Sequence, residues 1–539
     1  MKTKKMLITA IATIAFIAST QAQNVNIPDA IFKAVLVANS SINYNMDGEI
    51  QVSEASVFNG AINVSQLNIT DLTGIEAFVA LDSLDCSGNG LLSLNVSANT
   101  ALTYLNCSGN IDFSWTYIDS LDVSANSLLT TLICRGSGLL SLNTTGLTAL
   151  TYLDCSYNER GYWESNGFPG NSFFIHISYP FLNFTGNTAL TTLICSGNGL
   201  LNLNTTGLTV LTYLDCSSNE GAYWQGGGLG GYNWVHISYP LLNFTGNTAL
   251  TYLNCSSNGM TSLTLSGFTA LTTLDCSGNQ LTNLDVSACT ALTNLQCHSN
   301  SLVNLNVSAC TALTTLVCTY NQLTSLDASG CITLTTLDCT YNHLTNLNVS
   351  ACTALISLAC SQNSALTSLD VSACTALTTL DCSGNQLTIL NASGCTALTT
   401  LNCPYNQLTS LDVKNGNNIN MVTFIAIGNP NLSCIEVDNA AWSNINWPYI
   451  DATASFSENC SAVGILDDNE SNAPIFYPNP TTGTIYLSEP ANISLSDLSG
   501  NLLLEQKNTN QLDMSALPAG MYFLNIGENK QHIFKVIKE

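Results

Sequence analysis

The chain has 539 residues, of which 46% are hydrophobic and only 9% are charged, and its formal net charge is -25. The apolar content is sufficient for several packed units. The acidity excludes nucleic acid and anionic membranes as partners, because binding to their phosphates depends on Lys and Arg.

Residues 1–22 predict a secretory signal peptide. A Lys-rich start is followed by an apolar run over residues 6–18 and by the small residues Thr20 and Ala22. This is the pattern of an exported precursor that is cut near Ala22. No later apolar run has the length of a membrane span. We therefore expect the mature protein to be exported and soluble, or attached to the cell by other means.

Residues 23–60 predict a small helical cap with an EF-hand-like loop. Six residues match the positions that supply calcium ligands in such a loop: Asn43, Asn45, Asp47, Glu49 (through its carbonyl), Gln51 and Glu54. Gly48 falls at the sharp turn of the loop. Asn43 replaces the usual Asp, which lowers the ligand charge. The loop is therefore expected either to bind one calcium ion or to serve as a cap that keeps this shape with weak or no binding.

Residues 61–437 repeat with a step of mostly 21 residues, as in "LTTLDCSGNQLTNLDVSACTA" (residues 271–291). One coil of this length cannot bury its own Leu side chains, whereas stacked coils share a continuous core. Leu274 and Cys276 alternate with Asp275, so we expect the first two inside and the last outside. The Asn three residues after each strand Cys, such as Asn279, is expected to bond turn backbone that would otherwise be buried unpaired.

This template resembles the short nested leucine-rich repeats of bacterial surface proteins, including the cysteine-ladder repeats of the internalin J type. The resemblance covers roughly residues 60–437. It implies a mainly β leucine-rich repeat solenoid. It also implies a surface recognition protein or an adhesin, since most members of this class are of that kind.

The cysteines fall into two inward ladders. Fourteen of the 22 occupy the strand position, and six more form a second ladder from Cys289 to Cys395. Ladder neighbours have parallel Cβ directions, which suits a disulfide poorly. We expect buried free thiols, with zinc binding as the alternative, although no CxxC spacing occurs.

Cys434 and Cys460 break this pattern, because they follow the last regular coil. Similar endings close related surface repeats. We therefore expect these two residues to form a disulfide that closes a C-terminal cap over residues 438–462. On the chain-entropy account such a bridge contributes about 3 kcal/mol.

Three insertions, at residues 110–121, 158–182 and 219–242, interrupt alternate coils at the same edge. Equivalent points two coils apart lie about 10 Å from each other, so the insertions are expected to line up along one flank. Duplication of a two-coil block explains why the second and third insertions are alike, but it does not explain their aromatic content. The candidate ligand-binding residues on this flank are Trp115, Tyr117, Tyr162, Trp163, His176, Tyr179, Tyr223, Trp224, Trp234, His236 and Tyr239.

Two other interpretations remain open for these surfaces. The aromatic residues can pack on each other to keep the loops folded, and His176 and His236 can have a structural role as hydrogen-bonded side chains. The outward rows of Asp on the strands, such as Asp275 and Asp285, can hold cations or a glycan, or can form a solvated face.

Residues 463–473 predict an acidic linker, and residues 474–539 resemble the C-terminal sorting domain of the type IX secretion system, a small β-sandwich. Three motifs match in order: "PNP" at residues 478–480, "DLSG" at 497–500 and "LPAGMY" at 517–522. The resemblance implies passage across the outer membrane to the cell surface or the medium, with the secretion machinery as a partner.

We therefore expect a non-catalytic, adhesin-like protein that binds a protein or glycan ligand. Carbohydrate capture for nutrient acquisition and a structural role in the extracellular matrix are the alternatives. An enzyme is not expected. A glycosidase needs paired carboxylates, but Glu164 of the second insertion becomes Gln225 in the third.

Overall fold

The computed structural model describes residues 23–111, 117–165, 172–177, 182, 184, 186–200, 202–219, 221–226, 232–238, 241–460, 476–478, 480–497, 501–526 and 532–538. The chain divides into two compact units, residues 1–458 and 459–539. Each unit has its own cluster of buried apolar side chains.

The first unit is built on a parallel sheet, called the main sheet, of sixteen described three-residue strands. Each strand has a buried central residue, Leu in nearly every coil, between two flanking residues that are mostly polar and less buried, which is the alternation of a half-buried strand. The predicted solenoid of 21-residue coils is confirmed. The strands are Ala61–Asn63, Ser83–Asp85, Tyr104–Asn106, Thr131–Ile133, Tyr152–Asp154, Thr192–Ile194, Tyr213–Asp215, Tyr252–Asn254, Thr273–Asp275, Asn294–Gln296, Thr315–Val317, Thr336–Asp338, Ser357–Ala359, Thr379–Asp381, Thr400–Asn402 and Thr423–Ile425.

A ladder of buried asparagines holds the turn that follows each main-sheet strand. The Asn279 side-chain amide donates to the carbonyl oxygens of Cys255 (3.1 Å) and Cys276 (2.9 Å), so it ties its own coil to the preceding one. Its Oδ1 accepts from the backbone N–H groups of Asn258 (3.1 Å) and Met260 (2.9 Å). The expected role of these Asn residues is confirmed, since they pair buried backbone groups that water cannot reach.

A second row of short parallel strands runs along the other side of the coils. Its pairs are Ser120–Asp122 with Ser141–Asn143, Asn202–Asn204 with Leu241–Asn243, Asn283–Asp285 with Asn304–Asn306, and Ser325–Asp327 with Asn346–Asn348. A four-stranded group ends the row: Ile389–Asn391, Ser410–Asp412, Cys434–Glu436 and Ser455–Ser457.

The second cysteine ladder continues an asparagine ladder of the earlier coils. The Asn126 amide donates to the carbonyls of Val96 (3.0 Å) and Asn99 (2.9 Å). In the later coils the Cys352 thiol donates to the carbonyl of Ala328 at 3.3 Å. A thiol is a weak donor and a small apolar group, so Cys keeps one of these bonds and fills the narrow interior.

The N-terminal end of the core is covered by helix α1, Ala30–Ala38, and the one-turn helix α2, Val52–Ala55, and a 3-10 turn, Ile75–Ala77, follows. The Asp29 carboxylate begins α1 by accepting from the N–H groups of Ile31 and Phe32, each at 3.0 Å. Phe32 and Leu36 of α1 are buried against the first coils.

The other end of the core is closed by aromatic rings. A 3-10 turn, Asn418–Asn420, precedes the last main-sheet strand, and helix α3, Ala440–Asn446, follows it. The buried Trp447 ring stacks on Phe424 with centroids 4.3 Å apart and meets Phe456 and Trp442 edge-on. Cys434 and Cys460 are disulfide-bonded, whereas the other twenty cysteines are buried free thiols.

The second unit is an antiparallel sheet that packs its own core from Ile485, Leu495, Leu512, Leu524 and Val536. Its described strands are Phe476–Tyr477, Thr484–Ser496, Leu502–Asp513, Gly520–Ile526 and His532–Lys538.

Candidate functional site

The second and third insertions join to form one antiparallel sheet outside the regular coils, called the insert sheet. Its strands are Arg160–Ser165, Ser172–Ile177, Gly221–Gly226 and Tyr232–Ser238. Each insertion forms a hairpin, and the two hairpins pair through Trp224 and Phe174. Aromatic and β-branched residues are enriched in strands, which agrees with the composition of these segments.

The register aligns four aromatic residues in one row across the insert sheet. Trp163 pairs with Phe174, Phe174 with Trp224, and Trp224 with Trp234. Directly paired residues share a face of a sheet, and aromatic cross-strand pairs are among the stabilising ones. Phe174 and Trp224 are the two inner residues of this row, since each pairs on both sides.

The first insertion is joined to the base of the second by Arg160. The guanidinium of Arg160 lies 4.6 Å from the centre of the Tyr117 ring, and its Nη1 donates to Asp119 at 2.9 Å. Nη2 also donates to the carbonyl of Ile118 at 3.3 Å. This arrangement fixes Tyr117 beside the first strand of the insert sheet. Arg160, which is one of the two Lys and Arg residues between residues 86 and 403, is therefore already engaged.

The other predicted flank residues fall in two groups. Tyr162 pairs with Ile175 and Tyr223 with Val235, while His176 lies opposite Gly161 and His236 opposite Ala222. Trp115, Tyr179 and Tyr239 lie outside the described residues.

A tyrosine row on the main sheet was not singled out from the sequence. Tyr104, Tyr152, Tyr213 and Tyr252 occupy the first, outward position of their strands. The rings of Tyr213 and Tyr252, on neighbouring strands, stack with centroids 4.2 Å apart and planes 2° apart. Partial burial and the adjacent Tyr213 raise the pKa of Tyr252 well above its usual value, so its hydroxyl stays protonated. The periodic Leu pattern hides this row, because Ser, Thr or Asn occupies the same position in most other coils.

A second set of exposed tyrosines lines the turns after the main-sheet strands. Tyr320, Tyr341 and Tyr405 have φ of 53°, 55° and 57°, although other coils have Gly at this place. Their exposures are 57%, 47% and 69%, and the rings of Tyr320 and Tyr341 stack at 4.6 Å. A bulky residue in the left-handed region is uncommon, although Ser218, Ser257 and Ser299 share this conformation in other coils.

The outward Asp rows have a structural use. Asp275 accepts from the backbone N–H (3.0 Å) and hydroxyl (2.6 Å) of Ser277, and Asp285 accepts from the N–H of Ser287 (2.9 Å). The Ser287 hydrogen bonds lower the pKa of Asp285 below its usual value. One oxygen of each carboxylate thus holds the turn that ends its strand.

The predicted calcium loop forms a compact polar cluster. The side chains of Asn45, Asp47 and Gln51 contact each other at 2.7–3.1 Å, and Asn43 and Glu54 are buried beside them. Glu49 pairs with Lys33 at 2.7 Å through its carboxylate. In the part of the chain that the structure describes, no group of three His, Cys, Asp or Glu side chains is placed to hold a metal. The donors of this loop are mostly amide and carbonyl oxygens.

The stacked coils, the inward Leu and Cys positions and the asparagine ladder define a leucine-rich repeat solenoid of the cysteine-ladder kind. Residues 248–289 match the family of leucine-rich repeats (two copies), and residues 475–539 match the secretion system C-terminal sorting domain. The sorting domain indicates type IX secretion to the cell surface or outside the cell.

Two solved structures are similar over most of the chain. The functional domain of InlJ from Listeria monocytogenes, which includes a cysteine ladder, is 25% identical with a TM-score of 0.55, covering 96% of this chain and 98% of that one. A leucine-rich repeat protein of Leptospira interrogans is 18% identical with a TM-score of 0.52, covering 75% and 97% of the two chains, and shows the fold alone. A search of the curated proteins found no match. No helix within the described residues is long and apolar enough to cross a membrane.

Proposed function

We propose that this chain is a non-catalytic recognition protein that binds a protein or glycan ligand outside the cell through its insertion-bearing coils. The observation that carries the proposal is the aromatic row of the insert sheet, Trp163, Phe174, Trp224 and Trp234. Rigid aromatic side chains supply large contact area at a small entropic cost, and they dominate binding energy at recognition surfaces.

The arrangement of the insert sheet supports binding over simple loop packing. Two hairpins whose first strands lie about 60 residues apart along the chain pair in one register, which creates a surface that neither insertion has alone. Leucine-rich repeat loops commonly carry the binding function of the scaffold, because the stacked coils hold them rigidly. The tyrosine row of the main sheet, with the Tyr213–Tyr252 stack, extends the aromatic character onto the coils that carry the insertions.

The chemistry of these surfaces favours a ligand with flat apolar faces and neutral polar groups. Within the insert strands the ionisable Asp, Glu, Lys and Arg residues are Arg160 and Glu164, and Arg160 is already engaged with Asp119 and Tyr117. Sugar rings and the apolar surface of a protein both meet this description. A strongly charged ligand does not, because it would gain few ion pairs there.

The test is a screen of the chain from Gln23 to Glu539 on a glycan array and on a panel of extracellular proteins. A triple variant, Trp163→Ala with Trp224→Ala and Trp234→Ala, and the single variant Trp224→Ala are screened beside it, each after thermal melting to verify folding. Tyr405→Ala is the matched control, since Tyr405 is a strongly exposed aromatic residue far along the chain from the insertions.

Binding that the folded Trp variants lose and the control keeps supports the proposal and names the ligand class. A ligand that binds all four proteins equally places recognition elsewhere on the solenoid. Turnover of a glycan by the wild-type chain would contradict the non-catalytic part of the proposal.

A further inference from the structure

The loop over residues 43–54 in the N-terminal cap carries polar groups that the fold leaves without a charged partner. Glu54 is 1% exposed, its Oε2 accepts from the N–H of Gln51 at 2.9 Å, and its Oε1 faces the N–H of Asn45 at 3.5 Å. Neither of the two salt bridges found among the described residues includes Glu54. A carboxylate this buried is costly unless a positive charge compensates it.

A second observation points to the same place. Asn43 is 4% exposed, and its amide nitrogen donates to the carbonyl of Val37 at 3.1 Å. Its Oδ1 is buried and has no hydrogen-bond partner in the described structure. A buried acceptor without a partner costs about 1–3 kcal/mol, so this oxygen is free to serve as a ligand.

The other candidate ligand side chains of the loop lie close to each other. The Asn45 amide nitrogen lies 3.1 Å from Asp47 Oδ2 and 2.7 Å from Gln51 Oε1, and the Gln51 amide nitrogen lies 2.8 Å from Asp47 Oδ2. Each amide presents its oxygen instead when the group turns over. Gly48, with φ of 84°, provides the turn that brings these residues together.

The first residues after the expected cleavage site hold this loop from behind. The N–H of Val25 donates to the carbonyl of Ile50 at 2.7 Å, and the N–H of Val52 donates to the carbonyl of Gln23 at 2.8 Å. Asn24 and Gln51 form an antiparallel bridge. Ile50 is fully buried, so the segment 23–25 fixes the half of the loop that contains Glu49, Gln51 and Glu54.

We propose that this loop binds one divalent cation of the calcium type and that residues 23–25 complete the site by clamping the second half of the loop. The ligands are Asn43, Asn45, Asp47 and Gln51 through side-chain oxygens, Glu49 through its carbonyl, and Glu54 through its carboxylate. Many oxygen donors in a flexible loop suit calcium, whereas magnesium requires a small octahedral site and keeps its waters. Only Asp47 and Glu54 contribute charge, so the affinity falls in the weak range of extracellular sites, about 10⁻⁴ to 10⁻³ M. This proposal is independent of the aromatic surface.

The experiment uses terbium as a luminescent stand-in for calcium, because Tyr44 lies inside the loop and sensitises a bound lanthanide. The chain from Gln23 to Glu539 is titrated with terbium, and calcium or magnesium is then added as a competitor. The variants are Glu54→Gln and Asp47→Asn, and the matched control is Asp71→Asn, an exposed carboxylate outside the loop. Asp47 is exposed, so its variant folds even where the variant of buried Glu54 does not.

The expected result is sensitised emission from the wild type and the control, displaced by calcium at lower concentration than by magnesium, and at least tenfold weaker binding in Asp47→Asn. Equal emission from all variants, or none at millimolar terbium, overturns the site. A chain that begins at Ile27 tests the clamp: at least tenfold weaker binding supports it, and unchanged binding refutes that part of the proposal.

Discussion

Replacing one asparagine of the main ladder tests how the solenoid is held together. Asn321→Ala removes a side chain that donates to the carbonyls of Cys297 (3.0 Å) and Cys318 (3.1 Å) and accepts from the N–H of Leu302 (2.9 Å). The amide also reaches the carbonyl of Thr319 at 3.2 Å, so the substitution acts on four buried backbone groups in two neighbouring coils, and three carbonyls share the two amide hydrogens.

The magnitude follows from what remains after the change. The three carbonyls keep one donor each, because the Asn300 amide also reaches Cys297, the Asn342 amide also reaches Cys318, and the N–H of Ser299 also donates to Thr319. The N–H of Leu302 loses its partner, which costs about 1–3 kcal/mol, and each lost amide bond costs about 0.5–1.5 kcal/mol. The expected loss of unfolding free energy is about 2–6 kcal/mol.

The assay is urea unfolding followed by circular dichroism, with Asn306→Ala as the matched control. Asn306 is exposed and holds one turn through the N–H of Ser308 at 3.0 Å, so its loss costs about 0.5–1 kcal/mol. Equal shifts of the two unfolding midpoints would refute the reasoning, because they would show that the buried ladder contributes no more than a surface turn.

Three further predictions concern the core and the acid response. Trp447→Ala is expected to lower the free energy of unfolding by about 3–5 kcal/mol. Trp447→Phe should lower it much less, because Trp447 Nε1 has no described hydrogen-bond partner to lose and the stack on Phe424 survives. Equal denaturation midpoints for the two variants would contradict this. Burial raises the pKa of the ladder thiols, to about 12 for Cys107. A thiol reagent at pH 8 should therefore label the native chain slowly, and it should label twenty cysteines once the chain is unfolded. Rapid labelling of the native chain would contradict the burial of the ladders. Hydrogen bonds from Ser329 lower the pKa of Asp327. The stability from this ionised carboxylate is full above the unfolded pKa of about 3.9 and is lost as the pH falls through the lower folded pKa. The melting temperature should therefore decrease as the pH is lowered below about 4, and it should decrease less in Asp327→Asn. An identical decrease in both proteins would contradict a lowered pKa of Asp327 in the folded state.

The repeat could be predicted because each coil must bury the same Leu side chains and pair the same turn backbone. A fixed step places Leu274 and Cys276 inside and Asp275 outside, and stacking is then the way to bury the Leu face. The Asn279 position is predictable for a similar reason, since the turn backbone must be paired wherever it is buried.

The pairing of the insertions and the closure of the core end could not be read in this way. The repeat predicts that the insertions line up along one flank, but strand register between two hairpins leaves no local pattern, so the pairing of Trp224 with Phe174 could not be predicted. Trp447 lies outside the repeat, so no equivalent residue in another coil indicates its stack on Phe424.

The acidic rows show how one pattern serves two interpretations. From the sequence, the outward Asp rows, which include Asp327, are compatible with ligand contacts, although such rows more often form a solvated face. The hydrogen bond from the N–H of Ser329 to Asp327 at 3.0 Å gives the carboxylate a role in the turn. Asn306 and Asn348 accept from Ser308 and Ser350 in the same way, which explains why both Asp and Asn occur along this row.

The recognition account is tested most directly by one affinity ratio. For the ligand that the screen ranks highest, the dissociation constant is measured for the wild-type chain and for the folded variant Trp224→Ala, in which one of the two inner residues of the aromatic row is removed. The account predicts an affinity at least about tenfold weaker in the variant, as expected for a residue at the centre of an interface. Equal affinities would contradict it and would remove the insert sheet as the binding surface.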